Sequence, residues 1–293
     1  MSAKPTFPTP ATTGNVLSFH LLFSDPSADI VLVSKGDSSR FRVHSWTLKT
    51  TSGFFRQMFS LPNPDTSPVE VLYLDEDEVI LEHLLRMACG FPVLPVQDYD
   101  QVDALLSAAE KFDMPGPMSI IRLLVATQPL AGTGHPLRLY NVACRYGWTA
   151  EAKLASTQTL TTNLHDPEFR PLLQRLSTTA VLDLFQLHHA RREGLCKRLN
   201  EPPIVPGGPA TCSNCHGPVD YHTWRELKYK LVLEMDSRPL GDTIMNYGLV
   251  EWPEAQASWA AKCKCDHDLY DKEDTLRVIR ECIDGLPKSI EGW

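Results

Sequence analysis

The sequence contains no hydrophobic run that approaches the ~20 residues needed to cross a bilayer, so no membrane-spanning segment is expected. The apolar stretch at residues 16–23 is short, contains His20, and lacks the basic region and cleavage site of a secretory signal. There is no Asn-x-Ser/Thr glycosylation site. Because the chain has eight cysteines and no export signal, we expect reduced thiols and a location in the cytoplasm or nucleus.

Positive charge is scarce. The 28 Lys and Arg residues are outnumbered by 36 Asp and Glu residues, which gives a net charge of −8. Binding to DNA or RNA would need a concentrated basic face, so we expect no nucleic acid partner. Four basic residues near the end of one predicted helix are expected to complement the helix dipole: Arg191, Arg192, Lys197 and Arg198.

The sequence patterns of common enzyme sites are absent. There is no Gly-x-Ser-x-Gly, no Gly-x-x-x-x-Gly-Lys-Ser/Thr and no His-Glu-x-x-His. His188 and His189 would point about 100° apart on a helix, so we expect one in the core and one at the surface. We therefore predict no catalytic residues and no enzymatic activity.

The sequence does contain short strands followed by helices. Residues 30–33 and 41–46 predict a β-hairpin, with Phe41, Val43 and Ser45 on one face. A short helix starting near Thr51 or Ser52, a third strand at 69–74, and helices from residue 78, at 102–112 (capped by Asp98 or Asp100) and at 118–127 follow. Later segments read as helices: 136–146, 149–160, 167–176, 178–199, 223–235, 253–261 and 271–283.

Composition divides the chain further. The Pro- and Thr-rich start predicts a flexible arm over residues 1–25, and the Pro/Gly cluster at 201–210 predicts a linker. We expect an α+β domain at 26–128, an all-helical extension at 129–200, and a small, mostly helical module with cysteines at 211–293.

Several motifs of the first domain resemble a BTB/POZ domain. They are Asp29 with residues 30–33, residues 41–44, Leu48, residues 52–59 and residues 108–114. The chain is most similar to the fungal type, in which a helical segment and sometimes a Cys-bearing tail follow. The resemblance implies protein–protein interaction, through a homodimer or through recruitment of a cullin-type ubiquitin ligase scaffold. The interaction residues it implies are Asp29, His44, Phe54, Phe55, Met58 and Phe59.

Two family features are incomplete here. Members that dimerise and recruit co-repressors use an aspartate matching Asp29 and a basic residue after the histidine matching His44, a place that Ser45 fills. Cullin-binding members often carry a hydrophobic-x-Glu triplet after the pair matching Met58 and Phe59, and this triplet is missing. The apolar segment at 16–23 is expected to pair with an edge strand of a partner.

Four cysteines of the tail carry the strongest chemical signal. Cys212 and Cys215 have the spacing of a tight metal-binding turn, and Cys263 and Cys265 would lie on one face of an extended segment. We predict that the four hold a structural Zn²⁺, with His267 as a substitute ligand; packing thiols and redox chemistry are the alternatives. The rival functions are a zinc enzyme with Glu226, Glu234 or Asp266 as base, and a transcription regulator whose zinc tail reads DNA.

Overall fold

A computed structural model describes residues 19–61, 69–127, 130, 136–201 and 211–291. The predicted flexible arm up to residue 18, the loop at 62–68 and the predicted linker at 202–210 lie outside the described residues. The chain divides into two compact units, Met1–Thr133 and Gly134–Trp293. Within the described ranges, none of the helices has the length and apolar character needed to cross a membrane.

The N-terminal unit is built on a three-stranded sheet of β1 (Ile30–Val33), β2 (Arg40–Val43) and β3 (Glu70–Tyr73). The central strand β1 runs antiparallel to β2 and parallel to β3. All four residues of β1 are buried, as its uninterrupted apolar run requires of a strand covered on both faces. The predicted hairpin and third strand are confirmed.

Among its described residues, the unit also has a 3-10 turn at Lys35–Asp37 and five α-helices. They are α1 (Ser45–Thr51), α2 (Gly53–Met58), α3 (Glu78–Cys89), α4 (Tyr99–Lys111) and α5 (Pro115–Thr127). The Asp98 carboxylate accepts the Gln101 backbone N–H at 2.8 Å and caps α4, as predicted. Val102, Leu105 and Leu106 are fully buried, so the predicted apolar face of α4 faces the core.

The predicted helix with a start near Thr51 or Ser52 is confirmed as α2, but the predicted second strand is too long and the helix α1 before α2 was missed. Strand β2 ends at Val43, and α1 begins at Ser45 because the Asp29 carboxylate accepts the Ser45 N–H at 2.8 Å. Ser52 then separates α1 from α2 with an extended backbone (φ −133°, ψ 125°). Its hydroxyl accepts the Phe55 N–H at 3.1 Å and donates to the Phe112 carbonyl at 2.5 Å, a contact 60 positions along the chain.

The regular secondary structure described in the C-terminal unit consists of helices, joined by loops that include isolated β-bridges at Thr211–Pro218 and Lys262–Asp268. Its helices are α6 (Pro136–Arg145), α7 (Thr149–Thr159), α8 (Arg170–Leu173), α9 (Thr178–Arg198), α10 (His222–Ser237), α11 (Leu249–Glu251), α12 (Pro253–Trp259) and α13 (Lys272–Asp284). The predicted helix at 167–176 is a 3-10 turn, Pro167–Phe169, followed by the single turn α8. A π-helical turn at Ile244–Gly248 was not predicted.

One hydrophobic core joins the predicted helical extension to the predicted C-terminal module. Leu195 and Leu199 of α9 pack with Trp224 and Leu231 of α10 and with apolar residues of α13 such as Ile279. All five are at most 2% exposed. Most of this core comes from residues 211–291 themselves, for example Leu227, Met235 and Ile283, and the end of α9 adds Leu195 and Leu199.

Arg191 corrects the expectation that the basic residues of α9 only complement its dipole. The side chain is 2% exposed, and its guanidinium donates to the carbonyls of Pro239 (2.6 Å), Leu240 (3.1 Å), Leu286 (3.4 Å) and Pro287 (2.7 Å). Burial lowers the pKa of Arg191, and the Asp284 charge opposes this. Arg191 therefore clamps two loops of the unit to α9.

The histidine pair of α9 divides between core and surface, as predicted. His189 is exposed, whereas His188 is 9% exposed and lies with Nε2 3.2 Å from the Thr159 hydroxyl. That hydroxyl donates to the Ser156 carbonyl, so Nε2 of a neutral His188 donates to it. Burial, with the charges of His165 and Arg191, lowers the pKa of His188 to about 4.

Replacing Arg191 with Met keeps the apolar stem but leaves four buried carbonyl groups without their donor. We expect the free energy of unfolding of the C-terminal unit to fall by about 3 kcal/mol. Arg192→Met is the matched control, because Arg192 is 37% exposed and pairs only with Glu193 and Asp236; it should cost less than about 1 kcal/mol. Urea unfolding of both variants tests this, and equal losses would contradict the clamp.

His188 predicts a loss of stability in mild acid. Its pKa is about 4 when folded and 6.5 when unfolded, so between these values the unfolded chain binds more protons and stability falls as the pH is lowered. The loss reaches at most about 3 kcal/mol by pH 4. Urea unfolding from pH 7 to 4 should show a shallower pH dependence for His188→Gln than for His189→Gln. Identical slopes would refute this assignment.

Candidate interaction surface and metal centre

The aromatic residues singled out in the N-terminal unit do not share one role. Phe55 is 2% exposed and stacks on Phe112 with ring centroids 5.4 Å apart, so it belongs to the core. Met58 and Phe59 are half-buried, and Lys49 lies over the Phe59 ring at 5.3 Å. Phe54 is 40% exposed and offers the largest free surface of the four.

Asp29 and His44 lie at the start of α1. The Asp29 carboxylate is lowered in pKa, because its hydrogen bonds from Ser45 outweigh a partial burial that acts in the opposite direction. His44 is half exposed, with Nε2 3.4 Å from Asp25. Asp29 therefore acts in this unit by fixing where α1 begins and hence which way its side chains point.

Trp46 is the exposed aromatic residue that the sequence interpretation missed. It is the second residue of α1 and is 73% exposed, whereas Leu48, about 200° further round the helix, is fully buried. Trp46 was predicted to be the last residue of a strand, and its side chain was assigned to neither a buried nor an exposed position. Large exposed aromatic side chains are enriched at the energetic centres of protein interfaces.

The two edge strands of the sheet, β3 and β2, have different neighbours. On the β3 side, Val71 (47% exposed) and Tyr73 (72% exposed) point outward from the edge strand. On the β2 side, the His20 N–H donates to the Arg40 carbonyl and the Arg42 N–H to the Phe23 carbonyl, both at 2.8 Å. Residues 16–23 were expected to pair with an edge strand of a partner. Their described part, residues 19–23, instead pairs with β2 of the same unit.

In the C-terminal unit, two tight loops carry the four predicted cysteine ligands. In the first, the Cys212 N–H donates to the Gly217 carbonyl at 2.9 Å; in the second, the Cys263 N–H donates to the His267 carbonyl at 2.8 Å. The residue after the second cysteine of each loop, His216 or Asp266, has a left-handed backbone. Each loop therefore folds back immediately behind its cysteines.

The loops bring all four sulfur atoms within 4.8 Å of one another. The Cys212 and Cys265 sulfurs are 3.7 Å apart, and those of Cys215 and Cys263 are 3.4 Å apart. A tetrahedral zinc ion with Zn–S distances of ~2.3 Å places its sulfurs about 3.8 Å apart. The cysteines are free, and their arrangement fits a four-sulfur metal site.

Hydrogen bonds prepare one sulfur of the cluster for ionisation. The backbone N–H groups of Cys215 and Asn214 lower the pKa of Cys212 to about 6. For Cys215, a hydrogen bond from the Gly217 N–H also lowers the pKa. Hydrogen bonds with the Cys263 and Cys265 sulfurs have the larger combined effect and raise the pKa to about 12. Without a cation, one thiolate disfavours the next. A divalent metal ion would allow all four to ionise.

The other polar residues considered for this site have separate contacts. His267 Nε2 lies 3.1 Å from the Ser213 hydroxyl, and Asp266 pairs with Lys262 at 3.3 Å. On α10, Glu226 lies 3.6 Å from His222, and Glu234 accepts the Thr243 hydroxyl at 2.6 Å. Among the described residues, the group close enough to share one ion consists of the four cysteines.

Comparison with protein-family models matches the BTB/POZ domain at residues 20–127. The match covers all strands and helices of the N-terminal unit, and it confirms the resemblance found in the sequence. A search of curated proteins finds no match to this chain. A domain of this family supports a role in protein interaction.

Removing single cysteines tests the metal site. We expect the full chain, purified in reductant, to carry one divalent metal ion, and Cys212→Ser or Cys265→Ser to lose more than half of it because each removes a ligand. Cys196→Ser is the matched control, since Cys196 is a half-buried cysteine on α9 outside the cluster. Plasma mass spectrometry gives the metal content. Equal metal in all variants, or none in the wild type, would contradict the site.

Proposed function

Since residues 20–127 form a BTB/POZ domain, we propose that the protein works by binding other proteins and catalyses no reaction. In this proposal the domain pairs with a second copy of the chain about a twofold axis, and the C-terminal unit holds a further protein partner. The pairing brings two such partner sites into one assembly. The cytoplasm and the nucleus are the compartments in which the cysteines would stay reduced.

The exposed indole of Trp46 is the observation that carries the proposal. Trp46 is 73% exposed in the monomer, so its large apolar surface faces water. Burying that surface in an interface would contribute favourable free energy to association. It lies on a helix whose start is fixed by Asp29, so its position is set before any partner arrives. Preorganised aromatic side chains bind at a low entropic cost.

Recruitment of a cullin-type scaffold is a second role that the family suggests. Phe54 supplies exposed apolar surface next to the region where such partners would dock. The loop that would carry the missing hydrophobic-x-Glu triplet lies mostly in 62–68, outside the described residues. Because the hydrophobic-x-Glu triplet of cullin-binding members is missing from the sequence, self-association is the better supported use of this domain.

Three features argue against the transcription regulator of the co-repressor type. Asp29 is committed to the Ser45 N–H. The two arginines that could replace the missing basic residue have other contacts, since Arg40 lies 3.5 Å from Asp37 and Arg42 donates to the Pro26 carbonyl at 3.2 Å. The tail also carries a charge of −6 over residues 201–293, which opposes DNA binding.

For the C-terminal unit we propose a closed structural zinc site. Four thiolates complete a tetrahedral shell and leave no position for a reacting water, whereas catalytic zinc keeps one position open. Apparent zinc binding of ~10–16 kcal/mol is large beside the stability of an ordinary domain. The role of the ion is then to join two loops 48 positions apart, and the zinc-enzyme alternative loses its support.

Truncating Trp46 tests self-association. We expect the full chain to sediment as a dimer at micromolar concentration and Trp46→Ala to weaken the dimer about thirtyfold, as loss of an interface hot spot does. Tyr229→Ala is the control, because Tyr229 is 67% exposed on α10 of the other unit. A monomeric wild type at tens of micromolar, or equal dimerisation of both variants, would overturn the assignment.

A further inference from the structure

A cleft of about 340 Å³ opens beside the cysteine loops of the C-terminal unit. Its walls come from both loops and from the starts of α10 and α13. The volume is at the lower end of the ~300–1,000 Å³ typical of ligand pockets. It therefore suits one or two side chains of a peptide rather than a large cofactor.

Aromatic rings form one wall of this cleft. Tyr221, Trp224 and Tyr270 line it, with Trp224 and Tyr270 stacked at 5.8 Å between ring centroids and Tyr221 6.4 Å from Tyr270. The negative faces of such rings attract ammonium and guanidinium groups within ~6 Å. The wall thus favours a cation or the apolar stem of a long basic side chain.

Carboxylates also line the cleft. Asp268, Asp271 and Asp274 line the cleft together with one cation, Arg277. Arg277 is held by Asp274 at 2.8 Å and by Glu281 at 3.1 Å, so its charge is already compensated. The Asp268 side chain is 67% exposed and only loosely paired with Lys262 at 3.8 Å. The net charge around the cleft is negative, which selects a positive ligand.

Two buried polar groups of the cleft residues have no partner among the described residues. They are the indole N–H of Trp224, a residue 2% exposed, and the hydroxyl of Tyr270. Buried donors without an acceptor are rare in folded proteins. A peptide carbonyl supplies such an acceptor, whereas a simple amine or metal ion supplies none.

We propose that this cleft binds a lysine or arginine side chain of a protein partner, together with a carbonyl of the adjoining peptide backbone. The carboxylates and aromatic faces take the charge, and the carbonyl accepts from the unpartnered Trp224 or Tyr270 group. This inference rests on the proposed protein-binding function and names the chemistry of the partner that the C-terminal unit would hold.

Three synthetic nonapeptides test the cleft on the full chain with its metal bound. They are blocked at both ends, share neutral flanking residues, and carry Lys, Arg or norleucine at the centre. In calorimetric titrations, the Lys and Arg peptides should bind with at least tenfold higher affinity than the norleucine peptide. Their affinity should fall as the salt concentration rises. The Trp224 indole N–H resonance, assigned with Trp224→Phe, should shift on titration.

Two variants locate the binding. Asp268→Asn and Tyr270→Phe should each weaken the Lys and Arg peptides at least threefold, while their controls Asp236→Asn and Tyr229→Phe change nothing. Asp236 is 52% exposed and pairs with Arg192, and Tyr229 lies outside the cleft. Tyr270→Phe removes an unpartnered buried hydroxyl, so its thermal midpoint should stay the same or rise, which excludes misfolding as the cause of weaker binding.

Equal binding of the norleucine peptide, unchanged affinity in both cleft variants, or no heat with any peptide at 2 mM would overturn the proposal. Sedimentation of the same samples separates this failure from that of the proposed function. A dimer without peptide binding refutes only the cleft. A monomer that binds the basic peptides refutes only self-association.

Discussion

The four cysteine sulfurs of the tail are the constraint on which the C-terminal unit depends. Their loops are 48 positions apart along the chain at the closest pair, and sulfur–sulfur distances of 3.4 and 3.7 Å join them. Four thiolates within 4.8 Å of one another repel each other. The arrangement therefore persists only if a cation compensates their charge or if some of the thiols stay protonated. Two helices begin shortly after the loops: the Asp220 carboxylate accepts the His222 N–H at the start of α10, and the Asp271 carboxylate caps α13 by accepting the Asp274 N–H.

The same constraint connects the metal centre to the proposed partner cleft. Cys212 and its neighbour Ser213 of the first loop line the cleft, as do His267 and Asp268 of the second loop. A metal ion that holds the two loops together therefore also holds the walls that would recognise a basic side chain. The proposed metal site and the proposed partner cleft therefore both depend on how these two loops are arranged.

Local patterns in the sequence predicted the features that short-range chemistry determines. The cysteine spacings, the β1–β2 hairpin and the Asp98 cap each depend on residues a few positions apart. The features that were missed depend on distant partners. The break at Ser52 is set by the Phe112 carbonyl, and the burial of Arg191 is set by carbonyls 48 to 96 positions away. Trp46 was missed because the predicted strand ran to residue 46, whereas β2 ends at Val43 and Trp46 lies on α1.

X-ray absorption at the zinc edge, on the full chain purified under reducing conditions, tests whether the four tail cysteines hold a zinc ion. The account predicts zinc with four sulfur neighbours at about 2.3 Å and no nitrogen or oxygen in the first shell. A shell containing a light atom would indicate an open site or a histidine ligand. A chain without zinc that nevertheless keeps its four tail thiols shielded from alkylation would contradict the account outright.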